Sequence, residues 1–481
     1  MNDTVRVRFA PSPTGYLHVG NLRTALYDYL LARRLGGTWV LRIEDTDRNR
    51  HLEGAEKALM AVLRWCGLEW DEGPDKGGPY GPYRQSERLP LYRAAADTLL
   101  AQGNAYHCFC TSERLDAMRK AAQAEGRDEK YDRTCMHLAS GDVQARLAAG
   151  VPHTVRLKVP AGETLILDDL VRGRVEFQSD LADDQVLLKS DGFPTYHLAV
   201  VVDDHQMRIT HVLRGEEWLS SAPKHLLLHR FLGYPLPHFA HLPLILNPDR
   251  SKLSKRQGNV AVEDYRDHGY FPEALVNFIA FLGWNPGHER ELLTVEELTQ
   301  EFSLQRVGKS GAVFNQEKLH WFNEQYLKAM PGERLLATLR PLLAARGWGD
   351  HDDIFLACVI DLMRERVAFV HEIPEKAGWF FEDPTSYEEA TVRKRWKPDS
   401  AGWLRDFVAV LESLPAFDHA TLEPAARAYA EGRGGKLGDL VHPLRLATTG
   451  VGGGPGLFEL MEVLGREACL RRIQRALEML V

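Results

Sequence analysis

Two short stretches carry the residues best suited to chemistry. In the first, Arg8 to Asn21, His18 offers a side-chain donor two positions before Gly20, where the missing side chain lets a flat ring approach the backbone. In the second, Asp249 to Arg256, the cations Arg250, Lys252, Lys255 and Arg256 are packed closely, with Ser251 and Ser254 between them and Gly258 following. The chemistry this pair could do is phosphoryl or nucleotidyl transfer. When ATP is attacked at its α-phosphate, charge builds on the departing pyrophosphate, and lysines aimed there act mainly in the transition state. Taken alone, the cationic run reads equally as a solvated charged loop, and the first stretch as an ordinary turn.

The elements that must position these groups are legible around them. Val5, Val7 and Phe9 alternate with Arg6 and Arg8, which predicts a half-buried strand. Leu22, Ala25, Leu26, Tyr29 and Leu30 recur at helical spacing until Gly36-Gly37. Between strand and helix, Pro11, Pro13 and Gly15 shape a loop whose free amides, with the helix dipole, suit an anion. A second strand over 38–43 runs into Glu44-Asp45-Thr46-Asp47, and a helix over 53–66 follows, the order of a parallel sheet. Short helices and β-like runs fill 83–190, and the apolar run from Tyr196 to Asp204 is expected to be a buried parallel strand.

The sequence thus predicts an α/β Rossmann-type parallel-sheet catalytic domain with an inserted connective domain, then an all-α C-terminal region. The expected boundaries are 1–82 and 191–240 for the two halves of the catalytic domain and 83–190 for the insertion. A third region with the cationic loop spans 241–330, and a helical region spans 331–481, split near 380. At 481 residues the chain is too long for one core. Its 44% hydrophobic and 26% charged residues are those of a globular protein, and no apolar run would cross a membrane. The N-terminus lacks the pattern of a signal peptide, so a cytoplasmic protein is expected. A net charge of −8 gives no global sign of nucleic-acid binding. Cys108-Phe-Cys110 and Cys135-Met-His137 have the spacing of a closed structural zinc site, or are buried cysteines and a nearby histidine. Cys66, Cys358 and Cys469 are assigned to packing.

The stretch Pro11-Ser-Pro-Thr-Gly-Tyr-Leu-His-Val-Gly-Asn21 resembles the first signature of the class I aminoacyl-tRNA synthetases, and Lys252-Leu-Ser-Lys-Arg256 the second. Further blocks, Arg42 to Asp47, Arg84 to Arg88, Leu188 to Tyr196 and Leu213 to Trp218, narrow the resemblance to the bacterial glutamyl-tRNA synthetases. That resemblance implies ATP, with Mg²⁺, held by His18, Gly20, Lys252, Ser254 and Lys255, with Glu217 and Trp218 near the nucleoside. It places Arg8, Ala10, Ser12, Glu44, Tyr196 and Arg214 around L-glutamate, and Arg366 at the last anticodon base of tRNA(Glu). It supports one structural Zn²⁺ on Cys108, Cys110, Cys135 and His137. Arg364, Arg393 to Lys397 and Arg471-Arg472 are further RNA-contact candidates. The implied enzyme is a monomer of the discriminating form; charging of glutamine tRNA as well is the alternative. A tRNA-base-modifying relative would lack the C-terminal helices, and a small-molecule nucleotidylyltransferase would need neither those nor the insertion.

Overall fold

The structure, a computed structural model, describes residues 4–47, 52–253 and 260–480. Ser254, Lys255 and Arg256 of the cationic run lie outside the described residues. The chain divides into two compact units, Met1–His268 with Pro272–Lys318, and Gly269–Phe271 with Leu319–Val481.

The first unit is built on the strand Arg6–Phe9, paired in parallel with Thr38–Leu41 so that Val7 faces Trp39. The helix Val19–Arg34 connects them and buries Leu22, Ala25, Leu26 and Leu30, the face its periodicity marks out. Tyr29 is half-buried and sets its ring edge-on to Trp39. A second parallel pair, His211–Gly215 and His238–Leu242, puts Arg214 directly opposite His241. Mutual hydrogen bonds of Arg6 and Thr210 tie the first strand to the entry of the second pair.

The segment 83–190 contributes a three-stranded antiparallel sheet of Ala105–Cys108, Thr154–Leu157 and Val186–Leu188. It also sends Thr164–Asp169 back to the α/β sheet, where Asp169 pairs in parallel with Phe239. Leu157, Leu165 and Leu187 share one core with Leu198, Val201 and Leu227. The insertion is therefore packed into the catalytic body rather than hung from it.

Three expectations need correction. Tyr196–Gln206 is a helix, not a strand, and it buries Leu198 through Asp204 on all sides. A continuous apolar run marks burial but not period, so it fits a sandwiched helix as well as a central strand. The strand Arg6–Phe9 is buried rather than half-buried, because Arg8, only 4% exposed, is neutralised inside by Asp204. Cys66 and Cys469 are buried, but Cys358 is exposed and packs against nothing in a core.

In the second unit every regular element from Gly332–Ala344 to Arg466–Met479 is helical. Leu335, Leu339 and Leu343 form the buried stripe of the first of these, with Leu336 and Leu342 at its margins. No helix among the described residues is long and apolar enough to cross a membrane.

Candidate active site

A cavity of about 830 Å³ opens where the strand ends Phe9 and Leu213 meet the start of the helix Val19–Arg34. Its wall carries Arg8, Ala10, Ser12, His18, Gly20, Glu44, Tyr196, Arg214, Glu217, Trp218 and Lys252, so one cavity collects every described residue predicted for the amino acid and ATP.

At one end, His18 caps the helix: its Nδ1 accepts the Gly20 amide proton at 2.9 Å. An acceptor at Nδ1 leaves the neutral ring's proton on Nε2. Antiparallel pairing of His18 with Ala261, with Val19 N donating to Val260 O and Val262 N to Leu17 O, seals the cap from outside. On the other flank of the cationic run, Lys252 pairs with Leu246, and its exposed side chain lies on the cavity rim. Both described ends of that run, Leu253 and Val260, are thus anchored in backbone hydrogen bonds beside the site.

At the other end lies a lattice of buried charge. Arg8 Nε and Arg42 Nη1 both donate to Asp204 Oδ1, at 3.0 and 2.7 Å. Arg42 Nη2 reaches Glu44 Oε1 at 3.1 Å. Behind them Asp203, with a fully buried side chain, accepts from Arg88, Gln85 and Tyr92. Burial works against the charge on Arg8, but Asp204, with smaller contributions from Asp28 and Tyr196, brings the net shift upward. Burial raises Glu44 above the usual carboxylate range despite Arg42 and Arg8, so a further cation beside it would be stabilising.

Arg214 differs from its neighbours. It is 5% exposed and has imidazoles where the others have carboxylates. Its Nη2 is buried with no hydrogen-bond partner among the described residues, and burial lowers its pKa. Tyr196 stacks obliquely on Trp218, ring centres 4.4 Å apart, to form an aromatic wall beside it. Gly215 leaves room for the Glu217 carboxylate, which a Cβ at that position would push aside. The lattice partners Asp203, Asp204, Arg88 and Gln85 were missed at the sequence level. The pair Asp203-Asp204 was read as the end of a strand, and only the helical period turns both carboxylates toward arginines.

Away from this cavity, Cys108, Cys110 and Cys135 bring their sulfurs together, all within 4.8 Å. His137 does not join them; it is exposed, at the end of the short helical turn Thr134–His137. The group facing the thiols is instead the Tyr131 hydroxyl, 3.4 Å from Cys108 Sγ and 3.2 Å from Cys110 Sγ. In the second unit, Arg366 is exposed and close enough to Arg445 to lower its pKa, after burial. Two other RNA candidates serve the fold: Arg472 is buried against Asp383, Trp379 O and Thr448 O, and Arg364 donates to Met330 O.

Comparison with known proteins follows the same division. Residues 4–321 match the family of class I tRNA synthetase (E and Q) catalytic domains, and residues 334–477 match an anticodon-binding domain family. The chain is 50% identical to a glutamate–tRNA ligase of Chlorobium phaeobacteroides over 99% of its own length and 98% of the relative's. It is 51% identical to that of Chloroherpeton thalassium, over 99% and 98%. A glutamate tRNA ligase from Elizabethkingia meningosepticum, solved in complex with its amino acid, superimposes with a TM-score of 0.95 at 40% identity, each chain covered completely. With the cavity, the anchored flanks of the cationic run and these full-length matches, the chain belongs to the glutamate–tRNA ligases of the class I tRNA synthetases.

Proposed function

We propose that the chain activates L-glutamate with ATP and transfers it to the 3′ end of tRNA(Glu). An α-carboxylate oxygen attacks the α-phosphorus, the bond to pyrophosphate breaks, and glutamyl-adenylate forms. The terminal ribose hydroxyl then attacks the activated carbonyl and AMP leaves. No enzyme nucleophile is needed, so rate comes from placement and from donors aimed at developing charge. His18 Nε2–H faces the phosphates, Lys252 approaches from the rim, and Lys255 and Ser254 complete the set by family resemblance. Glu44 takes the α-ammonium group and Arg8 and Arg214 the side-chain carboxylate, beside Ala10, Ser12 and Tyr196. Glu217 and Trp218 contact the nucleoside, and Mg²⁺ enters with ATP.

The observation that carries this reading is Arg214, a buried cation in the wall of the same cavity as His18, whose Nη2 has no hydrogen-bond partner among the described residues and whose neighbour Tyr196 is a neutral hydroxyl rather than a carboxylate. A carboxylate satisfies it, whereas a carboxamide leaves the charge uncompensated. By family resemblance, an arginine at 366, here with an exposed side chain, supports the discriminating form acting on tRNA(Glu) alone, and a cytoplasmic monomer is proposed on the same resemblance. Three converging thiols fit a structural Zn²⁺, with Tyr131 rather than His137 as the fourth group facing it. The ion would order the loop joining 108–110 to 135 and supply no catalytic chemistry. The test is ATP–pyrophosphate exchange with glutamate and with glutamine, with and without each purified tRNA. Exchange is expected with glutamate in the presence of tRNA(Glu); exchange supported by another amino acid instead sinks the reading.

A further inference from the structure

We propose that His225 and His241, with Asp169 behind the latter, are positioning residues that hold Arg214 as a cation with no carboxylate of its own, and so make the cavity select an ionised substrate side chain. This rests on the reading of Arg214 as the partner of the glutamate side chain.

The hydrogen-bond directions leave one consistent arrangement. Arg214 Nε donates to His241 Nε2 and its Nη1 to His225 Nδ1, both at 3.0 Å. A guanidinium accepts nothing, so each ring nitrogen facing it must present a lone pair. That puts the His241 proton on Nδ1, 2.6 Å from Asp169 Oδ2, and the His225 proton on Nε2, 3.1 Å from His197 Nδ1. Asp169 is fixed in turn by the amides of Val171, Arg172 and His241. The parallel register that sets Arg214 opposite His241, and Asp169 opposite Phe239, makes this alignment a property of the sheet. The Phe239 ring, 5.2 Å from the guanidinium carbon, adds an apolar wall that keeps water away.

The contrast with Arg8, Arg42 and Arg88 gives the arrangement its meaning. Each of those is bound to an aspartate, so part of its charge is already offset within the protein. Arg214 receives two neutral acceptors that fix its plane without cancelling its charge. Protonating either imidazole would set donor against donor, and burial, together with the Arg214 charge, holds both rings below their ordinary pKa. The carboxylate of Asp169 stands one ring away, behind His241, and Asp204 acts on Arg214 only through space. The charge is therefore left for the substrate, and an amide substrate would strand it.

The test uses the full-length enzyme with purified tRNA(Glu) and compares His225→Asp, His225→Asn and His225→Leu. His225→Asp neutralises Arg214. It should raise the glutamate KM on the order of 10²-fold and collapse the preference for glutamate over glutamine, with the ATP KM within about twofold of wild type. His225→Asn retains an acceptor near the Nδ1 position and should stay within about threefold for all three quantities, while His225→Leu should raise the glutamate KM about tenfold. A folded His225→Asp variant with unchanged glutamate KM and preference overturns the proposal. Should that variant not fold, the Leu and Asn variants decide: equal glutamate KM in the two overturns it. Wild-type enzyme that ignores glutamate would instead remove the underlying reading. Loss of glutamate affinity in Arg214→Ala, with none in the His225 series, would remove only this inference.

Discussion

A Cβ on Gly20 would sit 3.1 Å from His18 Nδ1, the atom that accepts Gly20's own amide proton at 2.9 Å. The glycine therefore leaves room for the imidazole that caps its helix. Gly20→Ala should push the ring off its amide and misplace the Nε2–H donor. Activation should fall by on the order of 10–10² in kcat, with little loss of thermal stability. Pyrophosphate exchange at saturating ATP, paired with a melting curve, checks this; an unchanged kcat would show that His18's position is not critical.

Asp203 is a structural keystone, accepting from Arg88, Gln85 and Tyr92 and lying 3.8 Å from Arg42 Nε. Asp203→Ala leaves two buried arginines short of an anion and should destabilise the first unit by about 3–5 kcal/mol. Tyr92→Phe removes one hydrogen bond and should cost about 1 kcal/mol. Urea unfolding of the two variants against wild type measures the difference, and similar losses in both would contradict the assignment.

Asp28 is fully buried in the helix Val19–Arg34, with neither carboxylate oxygen hydrogen-bonded among the described residues. Burial raises its pKa well above the usual value, against the pull of Arg8 and helped by Asp204. The folded state thus binds a proton that the unfolded state releases near pH 4, and stability must fall as pH rises from there toward the folded pKa. Asp28→Asn removes that dependence. Its stability relative to wild type should therefore grow by on the order of 1–3 kcal/mol between pH 4 and 8. A wild-type-minus-variant difference that is flat with pH would show Asp28 to be ionised.

The three-thiol cluster predicts about one equivalent of zinc per purified chain. Cys110→Ser should reduce it below half, and His137→Ala should leave it intact because His137 stands outside the cluster. Metal analysis of the two variants reads this directly. Zinc lost on His137→Ala would restore the four-residue set expected from spacing.

Much of this protein was legible in its residues because the information is local. The helix at Val19–Arg34 follows from a 3.6-residue period, the loop before it from Pro11, Pro13 and Gly15, and the two signatures from their own order along the chain. Signature residues such as Arg8, Glu44 and Arg214 could be picked out by likeness to a family. What the sequence could not supply is who faces whom. The run Tyr196–Gln206 reads as strand until packing imposes a helix, and only then do Asp203 and Asp204 turn toward Arg88, Arg42 and Arg8. His137 is nearer to Cys135 in the chain than Tyr131, yet the folded loop turns Tyr131 to the thiols. Likeness marks Arg214 but not its partners: parallel register sets it against His241, and His225 reaches it from the helix that follows. Pairings across the chain depend on register and burial, which no local pattern encodes, and here they decide which buried charge is cancelled by the protein and which is left for the substrate.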